Sequence, residues 1–155
     1  MTPEPDHRTA LVTGASSGLG VAFARELARR GWNLVLVARS EAPMQQLADE
    51  LRADGAMVQV HPLDLADAAA REALVANLAS AGVQIDALVN NAGFGVFGEF
   101  ADTDWARLES MLMVDVMALT HLTRLFLPGM RQRGYGRVLQ VASTGAFQPT
   151  PGYAA

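Results

Sequence analysis

The chain has 155 residues and a formal charge of −4, and half of it is apolar with few aromatics; that is the size and make-up of one domain with a core mostly of Ala, Val and Leu. It has no cysteine, which excludes disulfides, thiol nucleophiles and thiolate metal sites, and three separated histidines argue against a zinc cluster. Its arginines are scattered without basic excess, which argues against nucleic-acid binding.

Met1 to Asp6 is polar and proline-rich without a signal-peptide pattern, and no later apolar segment reads as long enough to span a bilayer. The expectation is a cytoplasmic protein with a flexible tail over 1–8 and one domain over 9–155. An apolar strand over 9–13 runs into Gly14, Gly18 and Gly20 and then into an amphipathic helix over 18–30. A strand, a tight glycine turn and a helix start present backbone N–H groups to a phosphate, and Ser16 and Ser17 add hydroxyl donors. An ordinary turn is the competing explanation, since turns use glycine everywhere. Strand 33–38, helix 41–54, strand 57–61, helix 66–81, strand 86–90, helix 104–133 (ending near Pro128) and strand 137–142 follow. Gly31, Gly55 and Gly82 sit where a left-handed residue closes a helix. This alternation implies βαβ crossovers and an α/β fold: a Rossmann-type, doubly wound parallel sheet with helices on both faces.

Helix 104–133 is apolar over more than half its circumference between Leu108 and Phe126. A helix covering only a sheet needs a narrower stripe, so a second contact is expected, with another helix or with a partner subunit. Asp115 falls inside that arc. A carboxylate there demands a hydrogen bond, an ion pair, a proton or a wet cleft. Phe94, Val96 and Phe97 form either an apolar pocket wall or a loop packed on this helix.

Thr13-Gly-Ala-Ser-Ser-Gly-Leu-Gly20 and Asn90-Asn-Ala-Gly93, with Asp64-Leu65 after the third strand and Ser143 after the fifth, resemble the short-chain dehydrogenase/reductase family of classical type. The resemblance runs from about Thr9 to the end of the chain. It implies sheet order 3-2-1-4-5, truncated after the fifth strand, and a nicotinamide dinucleotide as cofactor. The backbone around Gly14, Ser16, Ser17, Gly18, Leu19 and Gly20 would hold the pyrophosphate and its ribose. Asp64 would bond the adenine amino group with Leu65 beside the ring, although an Asp after a strand is otherwise a turn cap. Asn91, Ala92 and Gly93 would line the nicotinamide-side ribose, Asn90 would tie strands together, and Ser143 would hydrogen-bond the substrate oxygen. Ala38 stands where NAD-selective members carry an acidic residue, and Arg39 follows it; a guanidinium there can pair with a 2′-phosphate, which favours NADP(H) over NAD(H).

The family's chemistry also uses a Tyr-x-x-x-Lys motif, whose tyrosine exchanges a proton with the substrate oxygen as hydride moves. Counted from Ser143, that tyrosine falls just beyond Ala155, Tyr153 comes a helical turn too early, and the chain contains no lysine. Asp115 takes the place of a family asparagine that helps a proton relay. The expectation is the cofactor-binding part of an NADP(H)-dependent carbonyl or alcohol oxidoreductase, inactive as this chain alone. It is expected to act on a small molecule and to be a homo-oligomer through helix 104–127, without nucleic-acid, membrane or metal partners. The rival is a non-catalytic dinucleotide-binding or assembly module.

Overall fold

Two strands that must be covered on both faces set the architecture. In β1 (Thr9–Thr13) and β2 (Asn33–Ala38) nearly every residue is buried, which is why they read as unbroken apolar runs and not as alternating ones. The computed structural model describes residues 8–153. Its further elements are α1 (Gly18–Arg29), α2 (Glu41–Ala53), β3 (Val58–Pro62), α3 (Ala68–Ser80), β4 (Ala87–Asn90), α4 (Trp105–Arg133) and β5 (Arg137–Gln140). The five strands are all parallel in the order β3-β2-β1-β4-β5, with Leu11 opposite Val35 on one side and Leu88 on the other.

Successive strand residues feed opposite layers. Ala10, Val12, Leu34 and Leu36 pack under α1 and α2 against Ala24, Met44, Leu47 and Leu51. Leu11, Val35, Val37 and Leu88 face α3 and α4 through Leu74, Leu78, Ala118 and Leu122. The expected doubly wound sheet with this strand order is therefore present. Of the expected tail only Arg8 lies within the described residues; its guanidinium stacks on Tyr135 at 4.1 Å and donates to the phenol oxygen at 2.8 Å.

Two expectations are corrected in α4. The helix does not stop near Pro128 but continues to Arg133, where Gly134 at φ +69° ends it. Proline removes one N–H from the ladder, yet the turn beyond it is held by Met130, buried in the core, and by Arg133, whose Nη2 donates to the Ile85 carbonyl at 2.8 Å. The second correction concerns bilayers: the helix Trp105–Arg133 is long and apolar enough to cross one by length and composition. Here its length serves to cover the sheet and reach past it. Leu122 and Met130 are seated on β-sheet residues, while Leu112, Val116, Met117 and Leu127 are exposed along other parts of its circumference. A π-helical stretch, Met113–Ala118, interrupts it at Asp115. β5 is an edge of the sheet, with all four residues accessible.

Candidate functional site

In an open parallel sheet the strand order reverses at β1, with β2 on one side and β4 on the other, which opens a crevice beyond the carboxyl ends of the strands. A cleft of about 390 Å³ lies there. The turn after β1 supplies Gly14, Ser16, Ser17, Gly18 and Leu19; the end of β2 supplies Ala38, Arg39 and Ser40. Leu63, Asp64 and Leu65 come from beyond β3, Asn91 to Phe94 from beyond β4, and Val114 from α4.

The first turn works through three different glycine requirements. Gly14 has φ +67°, and a Cβ on it would sit 2.9 Å from Asn91 Nδ2 and 3.0 Å from Ala92 Cα. Gly20 is shut by backbone: its Cβ would lie 2.1 Å from the Gly14 carbonyl oxygen. It is buried and does not line the cleft, so it acts by letting α1 close on the turn. Gly18, at φ +54°, faces open space. Ser17 occupies the N-cap of α1 without a side-chain hydrogen bond to it, leaving the first-turn N–H groups and the helix dipole directed at the cleft, a ready anion site.

Thr13 holds this turn to its neighbour. Only 1% exposed, its Oγ1 accepts from the Asn91 and Ala92 N–H groups at 2.9 Å each and donates to the Val89 carbonyl at 3.2 Å. Asn91 Nδ2 returns a bond to the Thr13 carbonyl at 3.0 Å. Across the cleft, Arg39 is exposed at the lip beside buried Ala38. Asp64 Oδ1 accepts from Ala66 N–H at 2.9 Å, a local turn that leaves its other oxygen available, and Leu65 is buried beside it. Asn90 ties β4 to the strand beside it through its backbone, its carbonyl accepting from Val141 N–H at 3.0 Å, and its side chain adds a second tie. Its Nδ2 donates to Thr123 Oγ1 at 3.2 Å and to the Leu119 carbonyl at 3.4 Å, binding β4 to α4.

Asp115 accepts from Phe94 N–H at 3.1 Å, just behind Gly93. Burial pushes its pKa up, and the bond from Phe94 opposes that. It sits behind the cleft wall and does not line it. Ser143 is exposed just past β5, whose Gln140 pairs with Asn90, and its Oγ accepts from Gly145 N–H at 3.1 Å. It does not line the same cleft either. Tyr153 leans on Gly95 and packs against Phe97 with ring centroids 5.2 Å apart. Val96 packs with Leu108 and Met111 of α4 and Phe94 joins them, whereas Phe97 stays exposed.

The family model for short chain dehydrogenases matches residues 8–155. The chain belongs to that family. The chain is 38% identical over 136 residues to the ketoacyl reductase HetN of Nostoc, a match covering 88% of this chain and 47% of HetN. Among solved structures, a metagenomic short-chain oxidoreductase in complex with NADP superposes with TM-score 0.90 at 33% identity, covering 96% of this chain and 67% of that one. L-Sorbose reductase of Gluconobacter frateurii, complexed with NADPH and L-sorbose, gives 0.89 at 34%, covering 95% and 56%. The chain spans about half the length of the curated relatives it matches.

Ser40, Leu63 and Val114 of the lining, with Thr13 and Arg71 behind it, escape a reading of the sequence. Ser40, the N-cap of α2 at the cleft lip, carries no signal in the sequence beyond following a strand. Thr13 was visible only as the start of a motif, although a hydroxyl in a fully buried strand is a signal. Arg71, buried behind Leu65, stands on α3 one turn before Leu74 and so breaks an apolar stripe.

Proposed function

We propose that this chain binds NADP(H) and serves reversible hydride transfer between that cofactor and a ketone, aldehyde or secondary alcohol. Arg39 carries the cofactor choice: it stands at the cleft lip next to Ala38, with no carboxylate at either position. NADP(H)-bound relatives of the same fold support the reading. The cleft fits such a group chemically, because an uncapped helix start, an open Gly18 and a guanidinium face one another across it.

In this reading the amides of Gly14 to Leu19 hold the pyrophosphate and Arg39 pairs with the 2′-phosphate. Asp64 and Leu65 receive the adenine, and Asn91, Ala92 and Gly93 receive the distal ribose. When bound, the nicotinamide supplies or accepts the hydride. Ser143, whose Oγ accepts from Gly145 N–H, directs its O–H as a hydrogen bond to the substrate oxygen. Asp115 keeps the Gly93–Phe94 wall in place. Proton exchange needs a further acid, and the chain contains no lysine to pair with one; we infer that the 155 residues alone are inactive. The exposed apolar strip of α4 supports homo-oligomerisation through that helix.

Fluorescence titration with NADPH and NADH tests the cofactor reading. A charge-assisted pair at an exposed lip is worth about tenfold in affinity. Wild type is expected to favour NADPH by about that factor and Arg39→Ala to lose the preference. Equal affinity of the wild type for both nucleotides refutes it.

A further inference from the structure

Arg71 is a cation with 2% exposure, the largest fully buried side chain in the described structure. It projects from α3 on the face that also buries Leu74 and Leu78. A charge there costs stability unless its donors are placed. Two are placed on neighbours far apart in the sequence. Nη1 donates to the backbone carbonyl of Leu65, and Nε donates to Nδ1 of His121 on α4 at 3.1 Å. Receiving that bond requires the neutral imidazole with its proton on Nε2, and Nε2 lies 3.8 Å from the Glu72 carboxylate.

Leu65 is not a remote residue: it lines the cleft beside Asp64. We propose that Arg71, set by His121, is a positioning residue that fixes the Asp64–Leu65 lip for the adenosine end of the cofactor. The inference rests on the dinucleotide reading above and deepens it. The guanidinium touches no cofactor atom; it acts by holding the carbonyl of the residue expected beside the adenine ring. An apolar side chain would fill the same space and leave that carbonyl unheld. Protonation of His121 removes the acceptor and places a second positive charge against Arg71. The charged groups facing His121 are Arg71 and Glu72 from α3, with exposed Arg124 one turn further along α4.

Arg71→Leu keeps an apolar side chain in the layer and removes the donors, leaving the Leu65 carbonyl and His121 Nδ1 without a partner. Calorimetric titrations with NADPH, adenosine 2′,5′-bisphosphate and reduced nicotinamide mononucleotide read the two ends of the cleft. The expected result is about a tenfold loss for NADPH and the bisphosphate, no change for the mononucleotide, and a variant that still unfolds cooperatively. Unchanged affinities, or equal losses for both fragments, overturn the proposal. If wild type binds the fragments but Arg71→Leu does not fold, His121→Gln decides, since its amide oxygen can accept from Arg71 without titrating. Wild type should then lose bisphosphate affinity on acidification more steeply than His121→Gln, with the phosphate's own titration common to both; parallel profiles overturn the proposal. Failure of wild type to bind NADPH at all overturns the dinucleotide reading itself, and this inference with it.

Discussion

Replacing Thr13 by valine keeps the shape of β1 and deletes one oxygen, which makes it a clean test of how the cleft is held together. That oxygen accepts two N–H groups, from Asn91 and Ala92, at 2.9 Å each. The Val89 carbonyl it also bonds lies in the strand ladder and keeps a partner there. The cost is therefore dominated by two half-buried N–H groups left without an acceptor. An unsatisfied buried donor costs about 1–3 kcal/mol, and partial access to water puts each near the lower end, so the sum is about 2–3 kcal/mol. For a chain of this size about 1 kcal/mol moves the melting temperature by about 2–4 °C, which gives a fall of about 4–12 °C. Thr13→Ser is the control: it keeps the oxygen and loses one buried methyl, about 1 kcal/mol. Thermal unfolding followed by circular dichroism, with urea titration beside it, reads both variants. NADPH affinity should fall further in Thr13→Val than in Thr13→Ser, because the freed segment lines the cleft. Stability of the two variants agreeing within about 0.5 kcal/mol would refute the reasoning, since the hydroxyl would then be holding nothing.

Gly20→Ala places a methyl 2.1 Å from the Gly14 carbonyl oxygen, so the turn itself must shift, at about 3 kcal/mol. Gly18→Ala meets only open space and pays backbone strain at φ +54°, about 1 kcal/mol; thermal melts should rank the pair in that order, and the reverse ranking removes the close-approach argument. Asp115→Asn tests the buried carboxyl. Its native pKa lies above the unfolded value near 3.8, so the folded state holds the proton more tightly. The associated stability is complete below the unfolded value and is lost as pH rises through the native one. The asparagine variant, which can still accept from Phe94 N–H, is thus expected to be more stable than wild type at neutral pH and to converge with it in acid. Urea unfolding at both pH values checks this, and a less stable variant at neutral pH contradicts it.

The sequence disclosed what is local and concealed what is not. β1 and β2 were legible to the residue because burial on both faces leaves continuous apolar runs with glycine or charge at their ends. The boundaries drifted where side chains, not periodicity, end an element: Asp67 caps α3 by accepting from Ala69 N–H at 2.8 Å, so the helix starts at Ala68 and not at Ala66. Pro128 misled for a related reason. Its local cost is real, but Met130 and Arg133 recover it through contacts with the sheet and with Ile85. Asp115 was found because a carboxylate interrupts an apolar arc on one helix. Arg71 offers the same signal on α3, weaker because that helix is short and rich in alanine. Its partners, Leu65 and His121, could not be inferred, because the bond to His121 spans 50 positions. Thr13 and Asn91 are 78 apart. A motif names both of these residues, but only the pairing of β1 with β4 turns two names into one hydrogen-bonded wall. Most residues that line the cleft can thus be read from its sequence, Ser40, Leu63 and Val114 excepted, whereas those that hold the lining still, Thr13 and Arg71, answer to the sheet order and the helix layers, which emerge only once the chain is folded.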